Sequence, residues 1–192
     1  MKHILFICTG NTCRSPMAEA MLKNMAGQQG VAVEVRSAGI STIDGLAVSG
    51  HATEVLRGYG IEHQSSSCAL TAEAVKWADL VLTMTASHKR GLLQWFPEAV
   101  DKAHTLKEYV NQDTGVLADI KELERLYTEL HMKQTLGQQL TDGERNRLLE
   151  LERRIPSFDI IDPFGGTLGN YKSCAEEIRS CLQQLLLRLK QE

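Results

Sequence analysis

Two residues near the start of this sequence have side chains and a spacing suited to nucleophilic group transfer, namely Cys8 and Arg14. A cysteine thiolate is a strong nucleophile, and a guanidinium presents a planar fork of donors that matches two oxygens of a tetrahedral anion. Five residues separate the two, which is a spacing that one loop can close around an anion. We therefore expect Cys8 to attack a phosphoryl group that Arg14 binds, with a covalent cysteine intermediate.

The stretch around these residues predicts a strand, a loop and a helix. Ile4 to Ile7 is a continuous apolar run typical of a buried parallel strand, and Ser15-Pro16 is typical of a helix start. Backbone N–H groups at such a turn converge on one point and favour an anion there, so they also stabilise a thiolate. The predicted phosphate-binding loop consists of Thr9, Gly10, Asn11, Thr12, Cys13, Arg14 and Ser15. Within it, we expect the Ser15 hydroxyl to donate to the Cys8 sulfur and Asn11 to fix the loop from behind.

Apolar patterning along the rest of the chain predicts four strand–helix units. The expected strands lie around Ile4–Ile7, Val31–Val35, Ala78–Met84 and Ala103–Leu106, with Ser37–Gly39 as a turn. The sequence therefore predicts an α/β fold, a small doubly wound four-stranded parallel sheet flanked by helices, with the phosphate loop after the first strand. Leu168 to Lys190 is predicted as a closing amphipathic helix.

Residues 111–158 predict an inserted helical hairpin within a single domain of residues 1–192. Apolar side chains recur at helical spacing before and after a turn expected near Gly137, and Thr141-Asp-Gly-Glu144 is typical of a capping box. The first predicted apolar stripe is Val116, Ile120, Leu123, Tyr127 and Leu130. We expect this hairpin to be a structural flap rather than an arm that binds a protein partner, and its place in the chain also makes it a candidate substrate lid.

Composition excludes several classes of protein. The 192 residues are 43% hydrophobic and 23% charged, with a net charge of −3 and a pI near 6.1, so we expect no nucleic-acid partner. No apolar run reaches the length of a membrane span, and no signal peptide opens the chain, so we predict a cytoplasmic protein. The five cysteines include no CxxC pair, which argues against a disulfide framework and against a zinc site. We expect neither a metal nor a cofactor.

Two stretches resemble a known family. Cys8 to Ala20, Cys-Thr-Gly-Asn-Thr-Cys-Arg-Ser-Pro-Met-Ala-Glu-Ala, resembles the opening of the low-molecular-weight protein tyrosine phosphatases, and in detail the bacterial protein arginine phosphatases among them. Asp159 to Gly166 resembles the Asp-Pro loop of that family. The resemblance implies a cytoplasmic hydrolase that removes phosphate from proteins through a phosphocysteine intermediate. Phosphorylated proteins are therefore its implied substrates.

The resemblance also implies roles for individual residues. Asp162 is the implied general acid, and Asp159 is the nearest competing carboxylate. Cys13 is implied to form a reversible disulfide with Cys8, which would make the enzyme redox-sensitive; a small apolar filler is the equally favoured alternative for Cys13. The inserted hairpin departs from the family pattern, in which the Asp-Pro loop follows much sooner.

The resemblance favours phosphoarginine over phosphotyrosine as substrate. Arginine phosphatases carry threonine at the position of Thr12, and the loop from Ile40 to Gly50 lacks the aromatic residue that tyrosine-selective members place beside the phenyl ring. Thr12 and Phe164 are accordingly the predicted substrate-selecting residues. A protein tyrosine phosphatase is the alternative; an arsenate reductase or a phosphoprotein-binding module without activity is less favoured.

Four further residues invite a functional interpretation that the sequence does not support. Cys174 and Cys181 share one face of the closing helix, but the apolar stripe there favours buried filler over the thiol relay of an arsenate reductase. His51 and His88 have no suitable partner nearby in the sequence, so we expect surface or capping roles for both.

Trp77 and Trp95 are predicted to lie in the core.

Overall fold

The computed structural model describes residues 1–111 and 113–191. The chain divides into two compact units. Met1–Val110 together with Phe158–Glu192 form the first unit, which contains the sheet, and Asn111–Ser157 form the second.

The first unit is built on a parallel sheet of four strands. These are β1 (Lys2–Cys8), β2 (Val33–Gly39), β3 (Leu80–Thr83) and β4 (Ala103–Thr105), in the spatial order β2-β1-β3-β4. Strand β1 is central and pairs in parallel with both neighbours, so that Cys8 lies opposite Gly39. The prediction of a small four-stranded parallel sheet flanked by helices is confirmed, and Cys8 ends the central strand.

Six helices accompany this sheet in the described part of the first unit. They are α1 (Arg14–Gln29), α2 (Gly50–Gly58), α3 (Ala72–Trp77), α4 (Ala86–Trp95), α5 (Leu106–Val110) and α8 (Leu168–Leu189), with a short 3₁₀ turn at Pro97–Ala99. Three of their N-caps are threonines, since Thr71 accepts from the Ala74 amide, Thr85 from the His88 amide and Thr167 from the Asn170 amide.

Alternating residues of β1 pack into two hydrophobic cores on opposite faces of the sheet. Ile4 and Phe6 pack with α1 and α8, whereas Leu5 and Ile7 pack with the residues of α3 and α4. This two-sided burial explains why β1 is apolar without interruption.

Two local predictions are wrong. Ser37–Gly39 is not a turn but the end of β2, because the Gly39 amide donates to the carbonyl of Cys68 and so continues the pairing. Trp95 is the last residue of α4 and is 62% exposed, whereas Leu92 is the fully buried residue of that helix. Trp77 is partly buried against the Leu5 core, with the Arg36 guanidinium 4.0 Å from its ring centre.

The second unit is an antiparallel pair of helices, α6 (Thr114–Thr135) and α7 (Asp142–Arg154). Gly137 between them has a φ of 69°, and Thr141 and Glu144 form the predicted capping box. Leu126 of α6 and Leu151 of α7 are buried. Four residues of the predicted stripe, Val116, Ile120, Leu123 and Leu130, are partly buried, whereas the fifth, Tyr127, is exposed beside the buried Leu126.

Ion pairs between α6 and α7 run along the length of the hairpin. Lys133 pairs with Glu144 at 2.5 Å, Arg147 with Glu122 at 2.7 Å, and Arg154 with Asp119 at 3.0 Å. The hydrogen bonds from Lys133 and from the capping residue Thr141 lower the pKa of Glu144 to about 2.

No helix in residues 1–111 and 113–191 is long and apolar enough to cross a membrane. Across the same residues, no group of three or more His, Cys, Asp or Glu side chains is arranged to hold a metal ion.

Candidate active site

The loop after β1 turns its carbonyl groups toward neighbouring backbone. The carbonyls of Cys8, Thr9 and Thr12 accept hydrogen bonds from the amides of residues 40, 41 and 49, at 2.8 to 3.0 Å. The Asn11 amide points the other way and lies 3.3 Å from the Cys8 sulfur. Three carbonyls of the loop are thus bonded to neighbouring backbone, which is compatible with the predicted strand–loop–helix turn whose N–H groups favour an anion.

Cys8 is buried at the end of β1, directly before the N-terminus of α1. Its sulfur lies 2.9 Å from the Ser15 hydroxyl and 3.3 Å from the Asn11 amide. Both groups can donate a hydrogen bond to the sulfur. The predicted contact between Ser15 and Cys8 is present in the structure.

Asn11 lies beneath the loop and joins it to the surrounding chain. Its φ of 52° is in the left-handed region, and it is only 1% exposed. The amide nitrogen of its side chain donates to Ser15 at 2.9 Å and to Ser37 at 2.8 Å, and its side-chain oxygen accepts from the Cys68 amide at 2.8 Å. These bonds fix the loop to strand β2 and to the segment before α3.

Arg14 begins α1 and is 5% exposed. Its Nη2 donates to Oδ2 of Asp162 at 2.9 Å, and its Nη1 donates to the carbonyl of Ile160 at 3.3 Å. The structure therefore brings the two charged residues that the sequence singled out into direct contact, although 148 positions separate them.

The two candidate carboxylates of the Asp-Pro loop differ in what they contact. Asp159 accepts from the Ala86 amide at 2.7 Å, at the N-terminus of α4. The side chain of Asp162 is 53% exposed and lies on Arg14. Its other oxygen accepts from the Phe164 amide at 3.2 Å. The geometry assigns Asp159 to a helix end and leaves Asp162 as the carboxylate beside Cys8 and Arg14.

Contacts from the sheet and from α5 and α8 fix the backbone before Asp162. The Ile160 amide donates to the carbonyl of Met84 at 2.8 Å, and Lys107 donates to the carbonyl of Asp159 at 2.8 Å. Lys107 also pairs with Glu177, which in turn accepts from the Ile161 amide.

A pocket opens between the phosphate loop and the Asp-Pro loop. Its lining residues are Cys8, Thr9, Gly10, Thr12, Cys13, Arg14, Asp162 and Phe164. All belong to the predicted site, whereas the remaining two predicted residues, Asn11 and Ser15, are buried under the loop. Phe164 is 79% exposed at the rim and offers an apolar surface to whatever carries the anion.

Cys13 contacts a helix as well as the pocket. Its sulfur lies 3.2 Å from the hydroxyl of Tyr171 in α8, and burial together with this bond raises the pKa of Tyr171. All five cysteines are free thiols in the structure. Burial raises the pKa of Cys174 to about 12 and that of Cys181 to about 11. Such thiols stay protonated, which fits the predicted filler role and argues against a thiol relay on α8.

His88 belongs to this site, although the sequence predicts only a surface or capping role for it. Its side chain is buried rather than on the surface: Nε2 lies 2.8 Å from the Thr9 hydroxyl and Nδ1 lies 2.9 Å from the Thr85 hydroxyl. Burial, and then the charge of Arg14, lower its pKa to about 4. The local Thr85-x-x-His88 spacing signals the cap, but nothing local signals a contact with Thr9. His51 is exposed, as predicted.

The loop that carries the nucleophile Cys8 follows the central strand of a parallel sheet. Arg14, at the end of this loop, contacts Asp162 of a segment that is distant in the sequence. This is the arrangement of a cysteine-dependent phosphatase. Residues 3–135 match the family described as low molecular weight phosphotyrosine protein phosphatase, and the chain belongs to that family.

Relatives within the family match almost the whole chain. The chain is 36% identical to the protein-arginine-phosphatase of Geobacillus stearothermophilus over 190 residues, which cover 99% of this chain and 97% of the relative. It is 35% identical to the protein-arginine-phosphatase of Bacillus subtilis over 189 residues, which cover 98% and 97%.

Solved structures give the same result. YwlE arginine phosphatase from Geobacillus stearothermophilus matches with a TM-score of 0.72 at 34% identity, covering 100% of this chain and 94% of that chain. A low molecular weight protein tyrosine phosphatase from T. tengcongensis matches with a TM-score of 0.72 at 32% identity, covering 98% and 99%.

Proposed function

We propose that this chain is a protein arginine phosphatase that hydrolyses phosphoarginine residues through a phosphocysteine intermediate. The observation that carries the proposal is the meeting of Cys8, Arg14 and Asp162 around one pocket. Nearly full-length similarity to two proteins named protein-arginine-phosphatase supports the choice of substrate.

In the first chemical step, the Cys8 thiolate attacks phosphorus in line with the leaving nitrogen of the guanidino group. A sulfur–phosphorus bond forms and the phosphorus–nitrogen bond breaks, while Asp162 in its protonated form delivers its proton to that nitrogen. The loop amides and Arg14 bind the phosphoryl oxygens throughout and stabilise the charge that builds up on them. The free arginine side chain then leaves.

In the second step, water attacks the phosphocysteine and Asp162 acts as the general base. The sulfur–phosphorus bond breaks, and the hydrogen bonds from Ser15 and from the Asn11 amide stabilise the departing thiolate. The products are phosphate and the original enzyme.

The substrate must displace an existing contact to reach Arg14. Asp162 lies on the guanidinium in the ligand-free site, so a phosphoryl group that binds Arg14 takes over the donor that Asp162 now uses. This exchange frees the Asp162 carboxyl group to turn toward the leaving group, and a positively charged guanidino group is a favourable partner for it.

Thr12 and Phe164 are the proposed selecting residues. Both line the pocket, with Thr12 in the loop wall and Phe164 at the rim. A threonine leaves the pocket mouth wide and polar, which suits a guanidino group, whereas a bulkier aliphatic side chain would favour a flat ring. Phosphotyrosine remains the alternative substrate, since a tyrosine phosphatase of the family matches at 32% identity and Phe164 could pack on a phenyl ring.

The test is turnover of matched phosphoarginine and phosphotyrosine peptides by one preparation, each measured as kcat/KM. A strong preference for phosphoarginine that Thr12→Ile reduces would support the proposal. A preference for phosphotyrosine would leave the mechanism in place and refute the substrate.

Replacement of the nucleophile separates catalysis from binding. Cys8→Ser should abolish turnover of both peptides, because a serine hydroxyl in this loop is a far weaker nucleophile, while affinity for inorganic phosphate by calorimetry should persist. Retained turnover would overturn the assignment of Cys8 and would leave a thiol-independent activity to explain.

The proposal also covers the hairpin, Cys13 and the location of the enzyme. The hairpin of residues 111–158 serves as a substrate lid or as a docking arm for a protein, and ion pairs join its two helices. Cys13 is a redox partner for Cys8, and the enzyme acts in the cytoplasm. Ser substitutions at the exposed Met132 of α6 and at the exposed Leu136, which follows α6, should lower kcat/KM for a phosphoprotein, but not for a phosphopeptide, if the hairpin docks a protein.

A further inference from the structure

The buried imidazole of His88 lies between the phosphate loop and helix α4. One ring nitrogen contacts the hydroxyl of Thr9, the residue that follows Cys8, at 2.8 Å. The other contacts the hydroxyl of Thr85, which caps α4, at 2.9 Å. The side chain therefore makes one polar contact to each of two segments that are 76 positions apart in the sequence.

The same first turn of α4 also binds the Asp-Pro loop. Ala86, next to the cap, donates its amide to Oδ1 of Asp159 at 2.7 Å. Asp159 lies three residues before Asp162. The start of α4 thus contacts both loops of the site. His88 contacts the loop that carries the nucleophile, and Ala86 contacts the loop that carries the acid.

The hydrogen bonds around Thr85 favour one position for the proton of the ring. The Thr85 oxygen already accepts from the His88 amide at 3.2 Å. Among the contacts of the described residues, Nδ1 is the acceptor toward which the Thr85 hydroxyl proton can point. Nδ1 then accepts, the proton of the neutral ring is on Nε2, and Nε2 donates to the Thr9 oxygen.

We propose that His88 is a positioning residue for this phosphatase: as the neutral Nε2–H tautomer it donates to Thr9, and through the first turn of α4 it keeps the phosphate loop and the Asp-Pro loop in register. The inference rests on the proposed phosphatase function and adds to it a residue that does not touch the phosphoryl group. The Thr9 bond orients the first peptide unit after Cys8, which begins the row of amides that binds phosphate.

The charges that face His88 are consistent with a neutral ring. Arg14 disfavours the protonated form, whereas Asp159 and Asp162 favour it, and burial is the largest influence. With a pKa of about 4, the ring is mainly uncharged above pH 5, so its protonation state does not change around neutral pH.

Two substitutions separate the two contacts of the ring. The side-chain amide of glutamine can place a donor where Nε2 lies, whereas that of asparagine reaches only as far as Nδ1. His88→Gln should therefore keep the bond to Thr9, and His88→Asn should keep only the bond to Thr85. Thr9→Val removes the same bond from the other side, and His104→Ala, at another partly buried histidine outside the site, is the control.

The measurements are kcat and KM for a phosphoarginine peptide and for p-nitrophenyl phosphate, the affinity for orthovanadate, and Tm. We expect His88→Asn and Thr9→Val each to lower kcat and vanadate affinity by roughly 10- to 100-fold, as for a small misplacement of catalytic groups, with little change in KM. The double variant should lose no more than either single one. His88→Gln should restore most of kcat, and nitrogen NMR of the wild type should show the Nε2–H tautomer.

The inference is overturned if His88→Asn and Thr9→Val lower Tm but leave kcat and vanadate affinity at wild-type values, since His88 would then only support the fold. It is also overturned if glutamine and asparagine give the same loss. Failure of the proposed substrate looks different: the wild type would turn over p-nitrophenyl phosphate but not phosphoarginine, and the comparison of variants would proceed on the former.

Discussion

Replacement of Asn11 should destabilise the protein by an amount that its contacts allow us to work out. The residue combines a left-handed backbone with three buried or partly buried side-chain hydrogen bonds, to Ser15, Ser37 and the Cys68 amide. Asn11→Ala loses these bonds and keeps the left-handed backbone. Asn11→Gly also loses the bonds but adopts that backbone without steric cost.

The magnitude follows from counting these terms. At about 1 kcal/mol for each net hydrogen bond, three bonds amount to about 3 kcal/mol. The left-handed backbone adds roughly 1 to 2 kcal/mol for alanine. Glycine avoids that strain but costs roughly 0.5 to 1 kcal/mol through its freer unfolded chain. We therefore expect a loss of about 4 to 5 kcal/mol for alanine and slightly less for glycine. Ser15 and Ser37 retain their other partners, Cys8 and Glu19, so for these two residues the cost is limited to the bonds themselves.

The assay is urea unfolding followed by circular dichroism, with kcat measured on the folded fraction. Both variants should also lose most of kcat, because the Asn11 amide donates to the Cys8 sulfur and its position depends on these bonds. Ser65→Ala, at an exposed serine far from Asn11 in sequence, is a control for polar substitution. A loss below about 1 kcal/mol for alanine would refute the reasoning, because it would mean that the three bonds contribute nothing net. A glycine variant less stable than the alanine variant would refute the strain argument alone.

Three other perturbations have defined outcomes. Lys107→Met removes the donor to the Asp-Pro loop and should lower kcat roughly tenfold for a phosphopeptide but less for p-nitrophenyl phosphate, whose leaving group needs no proton; equal losses would contradict this. Glu144→Gln should lower the thermal stability of the hairpin at pH 7, because the pKa of Glu144 is lowered in the folded state and its ionised form therefore stabilises that state. This contribution is lost as the pH falls toward about 2, where melts of the two proteins by circular dichroism should coincide. Iodoacetamide at pH 8 should alkylate the exposed Cys68 while the buried Cys174 and Cys181, with pKa values of about 12 and 11, stay unmodified by mass spectrometry until the protein is unfolded.

The parts that the sequence predicted well are those whose causes are local. The apolar run before Cys8 and the Ser15-Pro16 pair at the start of α1 lie within a few residues of each other, as do Thr141 and Glu144 of the capping box. Short-range hydrogen bonding and the burial of a central strand on both faces leave such signals in a few consecutive residues. The sheet, the phosphate loop and the turn of the hairpin could all be predicted from these signals.

The parts that could not be predicted depend on contacts between distant segments. The Asn11 side chain meets Ser37 of β2 and the backbone of Cys68, and neither partner has a sequence pattern that indicates a contact with the loop. The sequence in fact predicts a turn at Ser37, because serine followed by alanine and glycine is typical of one. The exposure of Trp95 is a similar case: helical spacing alone does not tell where a short helix stops contacting the sheet.

Gly39 shows how such distant contacts determine a residue type. It ends β2 opposite Cys8, and a Cβ atom there would lie 2.8 Å from the Thr9 carbonyl oxygen and 3.0 Å from the Gly10 carbonyl carbon. Its glycine is therefore required by the close approach of the phosphate loop and not by a turn in its own strand. His88 contacts the first residue of the same loop, Thr9. In the middle of the loop, the side chain of Asn11 binds Ser37 and the Cys68 amide. The shape of the loop is thus imposed by β2, by the segment before α3 and by the start of α4. The seven-residue motif from Cys8 to Arg14 can therefore indicate the chemistry of the site without containing the contacts that fix its geometry.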